Sequence, residues 1–251
     1  MKCHLYSAAG NRILWLEALE ADYDHLKASG FGLSRPYQLG QEMTAILGGS
    51  EHARYALFWN PDGTYEMVCG NAIRCLAHFI CEGSASADVV SVRTPRTNYL
   101  SRKIDASYGS FVIPGRAIRV ETQGLGGDIL VEVGTPHRIR LVDHEWPDDD
   151  LLDAQCFSTA TNPVNFNLVH RVARYRYRVR TFERGVGETS SCGTAAVSIV
   201  AALEARDAVA MEPHSSRIEF ASGETLTVDY DVALEAYEVG GHVALLQDLS
   251  V

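Results

Sequence analysis

The sequence predicts an α+β protein of two similar domains, each a curved antiparallel sheet wrapped around one central helix. Three observations carry this. A cysteine–glycine pair opens an apolar stretch of helical character twice, at Cys69-Gly70 in CGNAIRCLAHFI and at Cys192-Gly193 in CGTAAVSIVAALEA. The two cysteines lie 123 residues apart in a chain of 251, close to half its length. Around each helix the remaining segments read mostly as strands and hairpins, in the same order.

The elements of the first half follow in turn. HLYSAAGNRILWLEAL is a strand, a small-residue turn at Ser7 to Asn11 and a second strand. DYDHLKASGFGLSRP is a short helix closed by glycines. YALFWNPDGTYEMVCGN is a hairpin about Pro61-Asp62-Gly63. A helix is expected from about Asn71 to Cys81, ending at Glu82-Gly83, and VVSVRTPR, LSRKIDAS and GSFVIPGR continue as strands. Alternation weakens at Pro114-Gly115-Arg116. The expected domains are therefore 1–115, carrying Cys69, and 116–251, carrying Cys192, with the last strand a candidate to pack on the first half.

The second half repeats the order. DILVEVGTPHRIRLV is a strand, a turn at Gly134 to Pro136 and a strand. PVNFNLVHRV and RYRYRVRTFERG are strands, and GVGETSSCG is a Gly- and Ser-rich loop. A long helix is expected from about Thr194 to Arg206. RIEFASGETLTVDYD is a hairpin about Ser222-Gly223, and EAYEVGGHVALLQDLSV is strand-like. RYRYRVR puts Arg174, Arg176, Arg178 and Arg180 on one strand face and Tyr175, Tyr177 and Val179 on the other. The arginine row reads as a solvated face.

Composition narrows the class. Hydrophobic content of 46% against 22% charged gives ample core material for a globular protein. A net charge of −10 argues against a nucleic-acid or anionic-membrane partner. The opening MKCHLYSAAGNRILWLEALEADYD turns acidic early and is not expected to be a signal peptide. No run reaches the length of a membrane span. A cytoplasmic location with reduced cysteines is expected, since six cysteines in this length are no disulfide scaffold. Lys2, Lys27 and Lys103 stand against nineteen arginines, and none has the setting of a Schiff-base lysine, which argues against pyridoxal phosphate. No cofactor and no metal are expected. Cys69, Cys75 and Cys81 are spaced by six residues, so successive side chains point about 120° apart around a helix and cannot share one tetrahedral site.

A single cysteine before an apolar helix is ordinarily a small buried hydrophobe. Two in matched settings, each followed by glycine, point to chemistry. A helix N-terminus has unpaired N–H groups and partial positive charge, so it binds anions and favours a thiolate. Two such ends can hold one carboxylate with a thiol on either side, which suits moving a proton across one carbon.

Over nearly its whole length the chain resembles the diaminopimelate epimerases, cofactor-independent enzymes that invert an α-carbon with a cysteine pair. The matching segments are Gly10-Asn11, the hairpin Phe58 to Gly63, EMVCGNAIRC from Glu66 to Cys75, Val133 to His137, Val164-Asn165, and ERGVGETSSCGT from Glu183 to Thr194. The resemblance implies that Cys69 and Cys192 are the acid–base pair. It implies that Gly70, Asn71, Gly193 and Thr194 cradle the reacting carboxylate. Asn11, Asn60, Asn165 and Arg184 would bind the substrate's amino and carboxylate groups, and His137 and Glu183 would tune the thiols. The implied partner is a small amino-acid substrate, LL-diaminopimelate becoming the meso form, and a homodimer is left open. A racemase of another amino acid, or a non-catalytic amino-acid-binding relative, are the alternatives. The chain departs from the family pattern at Arg12, at Gly40 to Met43, at Thr135 where asparagine is usual, and at Gly240-Gly241-His242.

Overall fold

In the computed structural model, which describes residues 2–19, 23–34, 37, 39–50, 53–81, 89–122, 127–157, 164–184, 186–207 and 214–250, contacts divide the chain into two units. One is Met1–Val112 with Gly240–Val251, and the other is Ile113–Val239.

The first unit begins with a hairpin. Ala9 and Gly10 both take positive φ, 46° and 84°, as a two-residue turn between right-twisted strands requires. They join β1 (Cys3–Ala8) to β2 (Asn11–Leu19) in antiparallel register. Helices α1 (Tyr23–Ser29) and α2 (Phe31–Ser34) then lead to β3 (Met43–Ser50), which lies parallel to β2. β4 (Ala53–Trp59) returns antiparallel, and β5 (Tyr65–Glu66) completes the proline–glycine hairpin. After α3 (Gly70–Ile80), the strands β6 (Val89–Arg93), β7 (Asn98–Lys103) and β8 (Tyr108–Pro114) form a meander, with β6 touching β4 in parallel.

The second unit repeats this. Past a short 3-10 turn (Gly115–Ala117) comes β9 (Arg119–Glu121), which pairs with β10 (Ile129–Glu132). β11 (Pro136–Val142) closes a hairpin on β10, and α4 (Asp148–Phe157) crosses to β12 (Asn165–Ala173), parallel to β11. β13 (Arg176–Glu183) is antiparallel to β12 and carries the short β14 (Gly187–Glu188). Then come α5 (Gly193–Asp207), β15 (His214–Phe220) parallel to β13, β16 (Thr225–Asp231) and β17 (Ala236–Asp248). The end of β17 pairs with β1, within the first unit.

The α+β architecture is thus as the sequence predicts, with one correction. The expected antiparallel sheet is mixed, because β2/β3, β4/β6, β11/β12 and β13/β15 run parallel. Each parallel join is a crossover through a helix, the connection parallel strands need. Strands buried on both faces read as unbroken apolar runs, and ILWL in β2 does so. Leu14 and Leu16 pack into one cluster with Leu26 of α1. Trp15, on the opposite face, stacks on Phe79 of α3 and donates its indole N–H to the Ala72 carbonyl at 3.1 Å.

The central helices are enclosed, and they bury polar side chains along with apolar ones: Asn71, Arg74 and His78 in α3, Thr194 and Ser198 in α5. Every residue of α3 from Gly70 to Phe79 is buried, as is every residue of α5 from Gly193 to Leu203. Both begin one residue before the expected start. The expected end at Glu82-Gly83 lies outside the described residues. Strand β3, strand β9 and helix α4 are elements that the sequence reading did not anticipate. Along β13 the alternation holds: Tyr177 and Val179 are buried, while Arg176, Arg178 and Arg180 face outward onto Glu219, Glu145 and Glu188. The arginine row is a solvated, ion-paired face.

Candidate active-site residues

Strand register gathers the singled-out residues within each unit. In the second, His137 at the start of β11 lies beside Asn165 at the start of β12, and Phe166 faces Phe182, so Glu183 and Arg184 leave β13 at the same end of the sheet. In the first, Ile13 pairs with Met43 and Thr44 with Trp59, which brings Asn11 and Asn60 to one sheet end.

Both cysteines occupy the helix-capping position. The Cys69 carbonyl accepts the first helical bond from Ile73 N–H at 3.0 Å, and the Cys192 carbonyl does so from Ala196 at 3.0 Å. Cys69 has extended backbone, φ −132° and ψ 107°, and its sulfur makes no capping bond. Each sulfur therefore stands at a helix entry whose first N–H groups have no partner further back in the helix. Gly70, Asn71, Gly193 and Thr194 supply those N–H groups, and all four are buried.

The second unit joins its residues into one hydrogen-bonded group. The Cys192 thiol donates to Glu183 Oε2 at 3.5 Å, and Thr189 donates to Glu183 Oε1 at 2.6 Å. Cys192 Sγ is also 3.3 Å from Thr194 Oγ1, which lies 3.0 Å from His137 Nε2. Thr135 Oγ1 reaches the same nitrogen at 3.1 Å. Asn165 Oδ1 accepts from the main-chain N–H of Arg184 at 2.9 Å and so fixes where that arginine leaves the strand.

The first unit is built differently at the matching place. Asn60 stands nine residues before Cys69, where Glu183 stands nine before Cys192. Its Nδ2 donates to Thr64 Oγ1 at 3.0 Å and to Glu66 Oε1 at 2.9 Å. The carboxylate here comes from the short strand β5, and an amide holds it. Glu66, Thr189 and Asn167 are the participants that sequence reasoning missed. Asn167 had one available signal, since it shares a strand face with Asn165.

His137 is fully buried, and burial alone pushes its pKa from 6.5 down to about 3. It is neutral at physiological pH and acts by hydrogen bonding. The unfolded chain takes up this proton below pH 6.5 and the folded chain does not, so stability is complete above that pH and falls as pH drops toward 3. The slope owed to this group is about 1.4 kcal/mol per pH unit. Urea unfolding of the protein and of His137→Gln between pH 4.5 and 7 checks it: the variant's slope is shallower by about that amount, and equal slopes would refute the assignment. Cys75 is a packing group, its thiol pushed up to about 12 by burial.

No protein-family model matches the chain. A diaminopimelate epimerase of Parabacteroides distasonis is 26% identical over 214 residues, 77% of this chain and 78% of that protein. Another, of Magnetococcus marinus, is 30% identical over 187 residues, 66% of each chain, just under two thirds of its length. Among solved structures, a probable proline racemase from Agrobacterium radiobacter with bound carbonate covers 100% of this chain and 92% of its own, with a TM-score of 0.71 at 13% identity, a likeness of fold. In class, therefore, the chain is an isomerase related to amino-acid epimerases. Within that class it is a homologue of the diaminopimelate epimerases.

Proposed function

We propose that the protein converts LL-diaminopimelate to the meso form without a cofactor, Cys69 and Cys192 carrying the proton. One observation carries the reading. Each unit, folding by the same topology, sets a cysteine at the entry of an enclosed helix, and Cys192 has a carboxylate placed to accept from it. An amino-acid α-proton is a very weak acid, so the carbanion needs fixed dipoles where charge grows. Helix N-termini at the substrate carboxylate supply them. One thiolate withdraws the α-proton, the other thiol delivers one, and the roles exchange on return. The relatives' shared name supports the substrate.

A second reading keeps the chemistry and changes the amino acid. It rests on Thr135, whose hydroxyl is engaged with His137 Nε2 where the family has an asparagine amide. α-Proton exchange in deuterated water, run over diaminopimelate, lysine, ornithine, histidine and proline, separates the two. Exchange with diaminopimelate alone is the expected result. Exchange confined to another amino acid establishes the second reading, and none with any of them overturns both.

A further inference from the structure

We propose that Asn167, held by Thr181, fixes the tautomer of His137 and so turns the Thr194 hydroxyl toward Cys192, setting how readily that thiol ionises. The inference rests on the reading of Cys192 as a proton carrier. The chain of contacts runs through the interior of the second unit, where Asn167 and His137 are fully buried and Thr181 and Thr194 nearly so.

Each orientation is forced by its neighbour. The main-chain carbonyl of Arg138 can only accept, so the Asn167 amide atom 3.2 Å from it is the nitrogen. The other amide atom is then the oxygen, and it accepts from Thr181 Oγ1 at 2.8 Å. The second N–H of Asn167 faces His137 Nδ1 at 3.3 Å. A ring nitrogen that meets a donor is the bare one, and buried His137 carries a single proton. That proton is therefore on Nε2.

The consequence reaches the sulfur. Nε2–H points between the hydroxyls of Thr135 and Thr194, at 3.1 and 3.0 Å. Thr194 Oγ1 accepts there, which leaves its own hydrogen to face Cys192 Sγ at 3.3 Å. A hydroxyl that donates to sulfur favours the thiolate. With the opposite tautomer, bare Nε2 would draw the Thr194 hydrogen away and present lone pairs to the sulfur. The titratable groups facing Cys192 along this chain are Glu183 of β13 and, through Thr194, His137 of β11. Asn167 is thus a positioning residue, three hydrogen bonds removed from the thiol.

The experiment needs no turnover. In protein with 15N-labelled histidine, with His137 assigned by its loss in His137→Gln, the ring shifts report which nitrogen is protonated. The expected result is Nε2–H in the parent and Nδ1–H in Asn167→Asp, whose carboxylate can only accept. Alkylation of Cys192 by iodoacetamide, followed by peptide mass spectrometry across pH, should slow about tenfold at pH 7 in that variant. The added charge also acts through space, so Asn167→Asp is compared with and without Thr194→Val. The Asn167 effect on Cys192 should shrink once the hydroxyl is gone. Should Asn167→Asp not fold, Asn167→Ala withdraws the donor from His137 Nδ1 and should give a mixture of tautomers. A parent already protonated on Nδ1, or an alkylation shift unchanged by Thr194→Val, overturns the proposal. Undiminished racemisation by Cys192→Ala would instead remove the acid–base reading and leave the tautomer result standing.

Discussion

Cys69→Ala and Cys192→Ala each lose racemisation, by about 10²- to 10⁴-fold or more, the range expected when a positioned acid or base is removed. Inversion needs a carrier on each face of the α-carbon, so neither thiol can stand in for the other. Alanine is the informative replacement, because serine keeps a weak proton-transfer group. The helices should survive the change. Cysteine makes its helical bond through its carbonyl, which alanine retains, and the Cys69 sulfur contributes no capping bond. Far-ultraviolet circular dichroism should therefore match the parent while racemisation, followed by chiral chromatography of the substrate, collapses. A full rate in either variant would rule out the two-thiol mechanism.

Arg184→Met should raise KM for diaminopimelate by about 10- to 150-fold, the loss of one charge-assisted contact to a carboxylate. Asn165 Oδ1 accepts from the Arg184 main-chain N–H, and methionine retains that bond. Lysine and ornithine lack the distal carboxylate, so the parent enzyme should prefer diaminopimelate, and the variant should narrow that preference. Steady-state kinetics on the three amino acids decides it. If lysine turns over as fast as diaminopimelate in the parent, Arg184 is not reading a distal carboxylate and Thr135 becomes the residue to examine.

Much of the fold was legible because its signals are local. The two cysteine–glycine helix starts, the Pro61-Asp62-Gly63 hairpin and the turn at Gly10 each declare themselves within a few residues. Strand β3 is harder to see, since Gly48 and Gly49 interrupt its apolar run and Gly49 has φ +87°. Helix α4 opens on Asp148, Asp149 and Asp150, which suit a helix N-terminus but leave little amphipathic pattern over the ten residues. Parallel pairing has no local signature, because it depends on which distant strand lies alongside. The same holds for the site. Cys192 and Glu183 are near in sequence and are visible together. The Thr181–Asn167–His137–Thr194 chain joins four separate elements and emerges only when β11, β12, β13 and α5 are assembled.

The pairing of β17 with β1 also orders the history of the chain. Leu5 lies opposite Gln247 and Ala8 opposite Val243, partners almost a full chain length apart. A chain growing from the ribosome displays β1 long before its neighbour exists. The first unit can assemble its β1–β2 hairpin and wrap α3 early, but one flank of β1 stays bare until β17 has been synthesised. An uncovered strand flank is a template for pairing with other chains. That flank of β1 is therefore covered only once β17 has been made, and truncations that remove β17 should aggregate through the first unit although every residue of β2 through α3 is intact.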